Sequence, residues 1–277
     1  MKKKLIYIVV IVLGLALFLY SQNNFISITK YSIPSDNLPK SFQGYKLVHL
    51  TDLHNKNFGK NQEPLVRKIQ KQAPDLIVIT GDLIDSKKYN EEISLNLIQQ
   101  IMGIAPVYFV TGNHEAWSGK FPALEEKLTS LGVHILRNAS KKIELEDEFI
   151  QLVGLEDPAF ATSIGSESGA TTISLQQAVP TEEGFTVVLA HRPEHFLLYA
   201  EQKVDLILAG HAHGGQVRIP LIGGLVAPNQ GFLPKYDYGR FEQNQSTMIV
   251  GRGLGNSIIP QRIFNSPELV VITLEQE

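Results

Sequence analysis

The 277-residue chain contains no cysteine. That absence removes disulfides, thiolate metal sites and cysteine nucleophiles together. Any metal must then be held by His, Asp, Glu or Asn. There is no basic arm and the formal charge is −3, so nothing points to a nucleic acid partner. No period of 20 to 50 residues recurs, which argues against a repeat architecture. The chain is 19% charged and 43% apolar, a balance that lets a chain of this length bury a sizeable core.

The N-terminus stands apart from that globular composition. Lys2, Lys3 and Lys4 precede Leu5–Tyr20, a run without a charge. At about 1.5 Å per residue the run covers roughly 24 Å. A bilayer core is about 30 Å thick, and snorkelling lysines and Tyr20 make up the difference. The small residues of a signal-peptidase site are missing, and so is the cysteine a lipobox needs. Residues 1–24 are therefore expected to be an uncleaved signal anchor, a transmembrane helix. The positive-inside rule keeps the lysines in the cytoplasm. The expected localisation is the cell membrane, single-pass, with the catalytic domain on the extracytoplasmic side. Without the three lysines, 22 basic residues face 28 acidic ones, a charge of −6.

Residues 25–44 read as a linker and leading strand, and 45–277 as one domain. Within it, short apolar runs alternate with helical patterns. The runs are YKLVHL (45–50), DLIVIT (75–80), PVYFV (106–110), FTVVLA (185–190) and DLILA (205–209). They are continuous rather than alternating, the mark of strands buried on both faces. Helical spacing appears over 61–72, 91–101 and 121–132. The second half reads as further strands without such helices: a hairpin over 141–155 turning at Glu146 and Asp147, then 247–254 and 268–275. These are expected to form a second sheet packed on the first, with helices outside both. The Gly- and Ser-rich stretch 156–172 reads as a surface loop, and 218–240 as an ordered irregular loop near a site. The fold class is α/β.

Each of the five apolar runs ends in residues that bind metals. The groups are Asp52 and His54, then Asp82 and Asp85, then Asn113, His114 and Glu115, then His191, then His211 and His213. Glycine precedes the polar residue in three of the five, which lets backbone pass close to another group. The carboxyl ends of parallel strands lie along one sheet edge, where ligands bind. Any one motif has an ordinary structural explanation, such as a turn or a hydrogen-bonded histidine; His49 and His134 receive that reading. All five in this order imply a shared metal site.

The order D-x-H, G-D, G-N-H-E, H, G-H-x-H resembles the calcineurin-like metallophosphoesterases. It stands here as Asp52-Leu53-His54, Gly81-Asp82, Gly112-Asn113-His114-Glu115, His191 and Gly210-His211-Ala212-His213. The resemblance runs from about Tyr45 to the C-terminus. The closing segment 251–274 is similar to the membrane-associated bacterial branch of that family, which includes enzymes acting on nucleotide-diphosphate-linked lipids. The family implies a four-layer α/β/β/α sandwich of two mixed sheets. It also implies two divalent ions, Mn, Fe or Zn, with Asp82 bridging. One ion would take Asp52, His54, Asp82 and His213; the other Asp82, Asn113, His191 and His211. A hydroxide bridging the ions would attack phosphorus. His114 would assist the leaving oxygen, with Asp85 orienting it; Asp85 reads equally as a helix N-cap. Glu115 reads as a capping or supporting residue. Arg192 and Asn55 are minor candidates for holding a substrate phosphate.

The expected function is thus hydrolysis of a phosphodiester or pyrophosphate in a lipid or envelope-related compound. The partners are a phosphate-ester substrate, with a lipid-linked one in view, and the membrane. The alternatives are a phosphomonoesterase of small soluble substrates and an inactive metal-binding module; the intact ligand set argues against the second.

Overall fold

The computed structural model describes residues 2–161, 165–256 and 259–277. Helix α1 (Lys2–Asn24) is long and apolar enough to cross a membrane, and its apolar stretch is exposed. Strand β1 (Ser27–Ser35) follows. Then β2 (Lys46–Leu50), α2 (Glu63–Gln70), β3 (Leu76–Thr80), α3 (Glu91–Ile101) and β4 (Val107–Val110) alternate. A short α4 (Asn113–Ser118), α5 (Phe121–Ser130) and β5 (His134–Ile135) complete the first half. The second half holds β6 (Ala139–Leu145), β7 (Glu148–Gly154), α6 (Glu167–Ala178), β8 (Thr186–Leu189), α7 (Phe196–Ala200) and β9 (Leu206–Ala209). Two small ribbons come next, β10 (Arg218–Ile219) with β11 (Gly223–Gly224), and β12 (Val226–Ala227) with β13 (Gly231–Phe232). The chain closes with β14 (Gly239–Gln243), β15 (Ser246–Val250) and β16 (Glu268–Gln276).

Two six-stranded mixed sheets result. Sheet one has the order β1-β16-β2-β3-β4-β5, and sheet two β14-β15-β9-β8-β7-β6. In sheet one, β2 to β5 run parallel and β16 lies antiparallel to β2. In sheet two, β7, β8, β9 and β15 run parallel, with antiparallel β6 and β14 at the edges. Because a strand exposes alternate residues to opposite faces, each sheet feeds two cores. Val48, Ile77 and Phe109 pack outward against Leu65, Leu97 and Leu124 of the first helices. Leu47, Val78 and Val110 face Leu152, Val187 and Leu206 between the sheets. Val153, Val188 and Ile207 pack against Leu175 and Phe196 of α6 and α7. The order of layers is α/β/β/α.

Four expectations need correction. The five apolar runs do not share one sheet: β2, β3 and β4 lie in sheet one, β8 and β9 in sheet two. The 268–275 strand does not join the second sheet but inserts between β1 and β2. The outer helices expected over the second sheet are there, but the second half itself supplies them, as α6 and α7. Finally, 156–172 is not all loop: α6 starts at Glu167, with the Ser166 side chain accepting from the Gly169 N–H as its cap. Residues 162–164 of that stretch lie outside the described residues. Residues 25–44 contribute β1, whose nine residues pair in register with β16.

His49 sits on β2 beside Thr80, its Nε2 2.7 Å from Thr80 Oγ1. Burial lowers its pKa from 6.5 to about 3. The unfolded chain takes up a proton near pH 6.5 and the folded chain does not. Stability from this residue is therefore complete above 6.5 and falls as pH drops toward 3. Acidification from pH 6.5 to 4.5 should cost about 2 kcal/mol through His49. Denaturant titrations of His49→Leu should show a correspondingly shallower acid dependence; an unchanged slope would refute the assignment.

Candidate metal centre

The loops after β2, β3 and β4 meet those after β8 and β9 at the carboxyl ends of both sheets. Three of these loops turn into the left-handed region at once. φ is +52° at Asp52, +47° at His54, +51° at Asp82, +65° at His211 and +49° at His213. Such conformations cost of order 1 kcal/mol or more each and persist only where the surroundings impose them. Here neighbouring loops remain bonded beyond the sheet. The Asp52 N–H donates to Gly81 O at 3.1 Å and the His54 N–H to Asp82 O at 3.0 Å. Between the sheets, the His211 N–H donates to both oxygens of Asp52, each at 3.1 Å. His191 Nδ1–H donates to Thr80 O at 2.8 Å, which leaves Nε2 facing the cluster.

Two glycines make this approach possible. A Cβ on Gly210 would lie 1.9 Å from Thr51 Oγ1 and 2.5 Å from Asp52 Oδ2. One on Gly112 would lie 2.3 Å from Asp82 Oδ1. No side chain fits in either place.

Donor atoms of Asp52, His54, Asp82 and His213 all lie within 4.8 Å of one another, and so do those of Asp82, His191 and His211. Asp82 belongs to both groups. Its Oδ2 is 3.5 Å from His54 Nε2 and 3.3 Å from His191 Nε2. Asn113 Oδ1 joins the second group, 3.1 Å from His191 Nε2. The seven side chains are buried. His54 Nε2 faces His213 Nε2 at 3.1 Å, and His211 Nδ1 faces His191 Nε2 at 3.2 Å. Neutral imidazoles so placed share at most one proton per contact. Cations would accept from every lone pair, so the donor set fits divalent metals.

Burial and the Asp82 charge raise Asp52 to about 6, although His191 pulls the other way. Burial also opposes ionisation of Asp82, but His191 and His54 hold it well below the usual carboxylate range. Burial disfavours a charged His191, yet Asp82 and Asp52 outweigh it and raise the ring to about 10. Burial lowers His54 to about 4 and takes His211 and His213 well below their ordinary value. Those three rings stay neutral, as ligands must be.

His114 lies against this cluster, with its ring edge-on to His54 at 4.4 Å between centroids. Its Nδ1 accepts the Ser86 N–H at 3.0 Å. The neutral ring therefore carries its proton on Nε2. Asp85 is close by, with donor atoms of His54, Asp85 and His114 within 4.8 Å of one another, but Nδ1 of His114 is taken by Ser86. Asp85 Oδ2 instead faces His54 Nδ1 at 3.8 Å, while Oδ1 accepts the N–H groups of Lys87 and Lys88 at 2.8 and 2.7 Å. Glu115 supports the loops: its carboxylate accepts from the N–H groups of Asp82, Ile84 and Gly112. Asn55 bonds Lys88 O through Nδ2 at 2.8 Å and lines the cleft.

Arg192 is not solvated. It is buried, and Nε and Nη2 reach the two oxygens of Asp157 at 2.6 and 3.0 Å. Its Nη1 lies 3.2 Å from His211 Nε2. Asp157, inside the stretch read as loop, is thus a supporting residue that sequence reasoning missed; an Asp-Pro pair directly after a strand was its only signal. Arg262 was missed as well. It is fully buried and donates to the carbonyls of Arg252, Gly255 and Asn265, with Nη2 3.5 Å from His213 Nδ1. Burial lowers its pKa to about 10. A cleft of about 470 Å³ opens over the cluster, lined also by Lys56, Lys87, Lys88, Trp117, Asn256 and Pro260.

Comparison with known proteins agrees with this arrangement. The family described as calcineurin-like phosphoesterase matches residues 45–215. YkuE of Bacillus subtilis (strain 168), an uncharacterized metallophosphoesterase, is 27% identical over 261 residues, 92% of this chain and 88% of that protein. The phosphodiesterase YaeI of Escherichia coli (strain K12) is 27% identical over 236 residues, 83% of this chain and 82% of its own length. A transmembrane protein with metallophosphoesterase domain from Danio rerio is 29% identical over 253 residues; the match covers 88% of this chain but 56% of that protein. The crystal structure of TT1561 of Thermus thermophilus shares the fold, with a TM-score of 0.51 at 11% identity over 76% of this chain and 91% of that one.

Gly210→Ala should displace Asp52 and weaken Mn²⁺ affinity about 10- to 100-fold, the usual effect of disturbing groups that orient ligands. Isothermal titration against the parent protein measures it. Unaltered affinity with the fold retained would contradict this account of the loop.

Proposed function

The chain belongs to the calcineurin-like phosphoesterase family, and we propose that it is a membrane-anchored phosphodiesterase or pyrophosphatase acting on a lipid or envelope-related phosphate ester. The observation that carries the reading is the sharing of Asp82 by two buried donor groups. In this assignment Asp52, His54, Asp82 and His213 hold one ion, and Asp82, Asn113, His191 and His211 the other. A mixed nitrogen and oxygen set favours Mn, Fe or Zn over Ca or Mg. Two such ions neutralise a phosphate and bring the pKa of a water toward neutrality.

The protein's own groups do the rest. Asp82 fixes the spacing of the two sites through its single carboxylate. The Ser86 N–H holds His114 so that Nε2–H is available to the cleft that His114 lines. From there Nε2–H donates a hydrogen bond to the leaving oxygen and stabilises the charge that develops on it as the P–O bond breaks. Asp85 is a positioning residue beside both His54 and His114. Lys56, Lys87 and Lys88 at the mouth attract an anionic substrate. Helix α1 supports membrane association, and Lys2 to Lys4 favour an extracytoplasmic domain.

Purified full-length protein with Mn²⁺ should hydrolyse bis-p-nitrophenyl phosphate faster than p-nitrophenyl phosphate. The opposite preference would replace the diesterase reading with a monoesterase one. Asp82→Asn should reduce turnover to background and lower metal content while leaving the circular dichroism spectrum intact; full activity would end the two-metal assignment. His114→Asn should lower kcat about 10²- to 10³-fold, the usual effect of removing a donor aimed at developing charge. Its metal content should match the parent's, and a matching loss of metal would make His114 a ligand instead.

A further inference from the structure

The turn between β10 and β11 is built unlike an ordinary surface turn. Ile219, Leu221 and Ile222 are exposed there, Leu221 completely, where polar residues or glycine are usual. Leu221 also holds φ at +70°. A bulky side chain in that region is an outlier, and nothing within the turn repays the strain. Phe264, 54% exposed, borders the same shallow depression as Ile219, Pro220, Leu221 and Ile222. Its ring also packs on Phe18 of α1, with centroids 5.4 Å apart. Exposed apolar surface thus continues from the helix through Phe264 to the turn.

The depth of this surface is fixed. Phe18 lies two residues before the end of the apolar run Leu5–Tyr20, or about 3 Å along the helix axis. A bilayer that covers the run therefore ends close to Phe18 and to whatever packs on it. The junction is bonded rather than loose. Asn23 donates to Pro260 O at 3.0 Å and accepts the Arg262 N–H at 2.9 Å. Gln261 donates to Leu19 O at 3.0 Å, and Gln22 accepts the Asn265 N–H at 3.2 Å. The Arg218 N–H donates to Ile263 O at 2.9 Å, which ties the turn to the same loop.

We propose that the 219–222 turn and Phe264 are seated in the acyl–headgroup boundary of the bilayer that α1 crosses, as a second, monotopic contact. The inference rests on the reading of α1 as a membrane anchor. It deepens the proposed function, because Asn256 and Pro260 of the docking loop also line the metal cleft. The cleft is then held at the membrane surface, where the phosphate of a lipid-linked ester lies.

The absence of cysteine makes the test direct. Leu221→Cys, Leu13→Cys and Asp147→Cys full-length proteins, each with one NBD label, are reconstituted into phosphatidylcholine–phosphatidylglycerol vesicles carrying doxyl-labelled lipids. The label at 221 should shift to the blue and lose most of its emission to shallow doxyl groups. The label at 13 should respond to deep ones, and the label at 147 to neither. Quenching at 13 but not at 221 overturns the seated turn and leaves the anchor standing. No quenching at 13 overturns both. A blue shift at 221 without lipid quenching means that protein covers the turn, and a label at 147 quenched as strongly as that at 221 means the turn has no special contact; either overturns the proposal.

Discussion

The Asp82 carboxylate accepts the His114 N–H with one oxygen and presents the other to His54 and His191. Every feature of the centre is arranged around that geometry. An isolated buried carboxylate is costly, so the surroundings must supply positive charge. A protonated His191 can do so, and divalent cations do so better while leaving the rings neutral. Asp52, beside it, feels the same burial and the repulsion of Asp82, and is the easier of the two to protonate. The pair behaves as one acidic unit between two sheets.

Holding that unit requires strain that the rest of the fold must offset. Asp52, His54, Asp82, His211 and His213 all turn into the left-handed region. Each does so at a cost that a free loop would seldom bear. The inter-sheet core, from Leu47 and Val78 to Val187 and Leu206, presses the two sets of strand ends together. The backbone bonds between loops then fix the turns. Core packing and ligand placement are therefore the same problem in this protein: a sheet displaced by an ångström would separate the halves of the centre.

Much of this was legible in the sequence because it is local. Continuous Val, Ile and Leu runs marked buried strands, and the polar residues directly after them proved to be the ones that converge. Helices at 63–70, 91–101 and 121–130 followed from their spacing. What escaped was non-local. No periodicity says that β8 and β9 join a different sheet from β2 to β4, or that β16 enters between β1 and β2. Helix α6, with Ser, Gly and three Thr or Ile residues in its twelve, has weak intrinsic propensity and forms because Leu175 and Ala178 find a core. The partner of His114 Nδ1 escaped for a similar reason. Sequence proximity to Asp82 could not say that the next backbone N–H, from Ser86, would reach His114 first.

Strand β16 gives the fold a particular order of assembly. It supplies the antiparallel neighbour of β2 and the parallel partner of β1, yet comprises Glu268–Gln276, far along the chain from both. While the chain is being synthesised, β1 has no neighbour and one flank of β2 stays open. All seven candidate ligands have been made by His213, but the sheet that carries three of the five loops cannot close until β16 emerges. Such dependence on distant segments slows folding. It also means that a chain stopping short of β16 would retain every candidate ligand and lose the frame that brings them together.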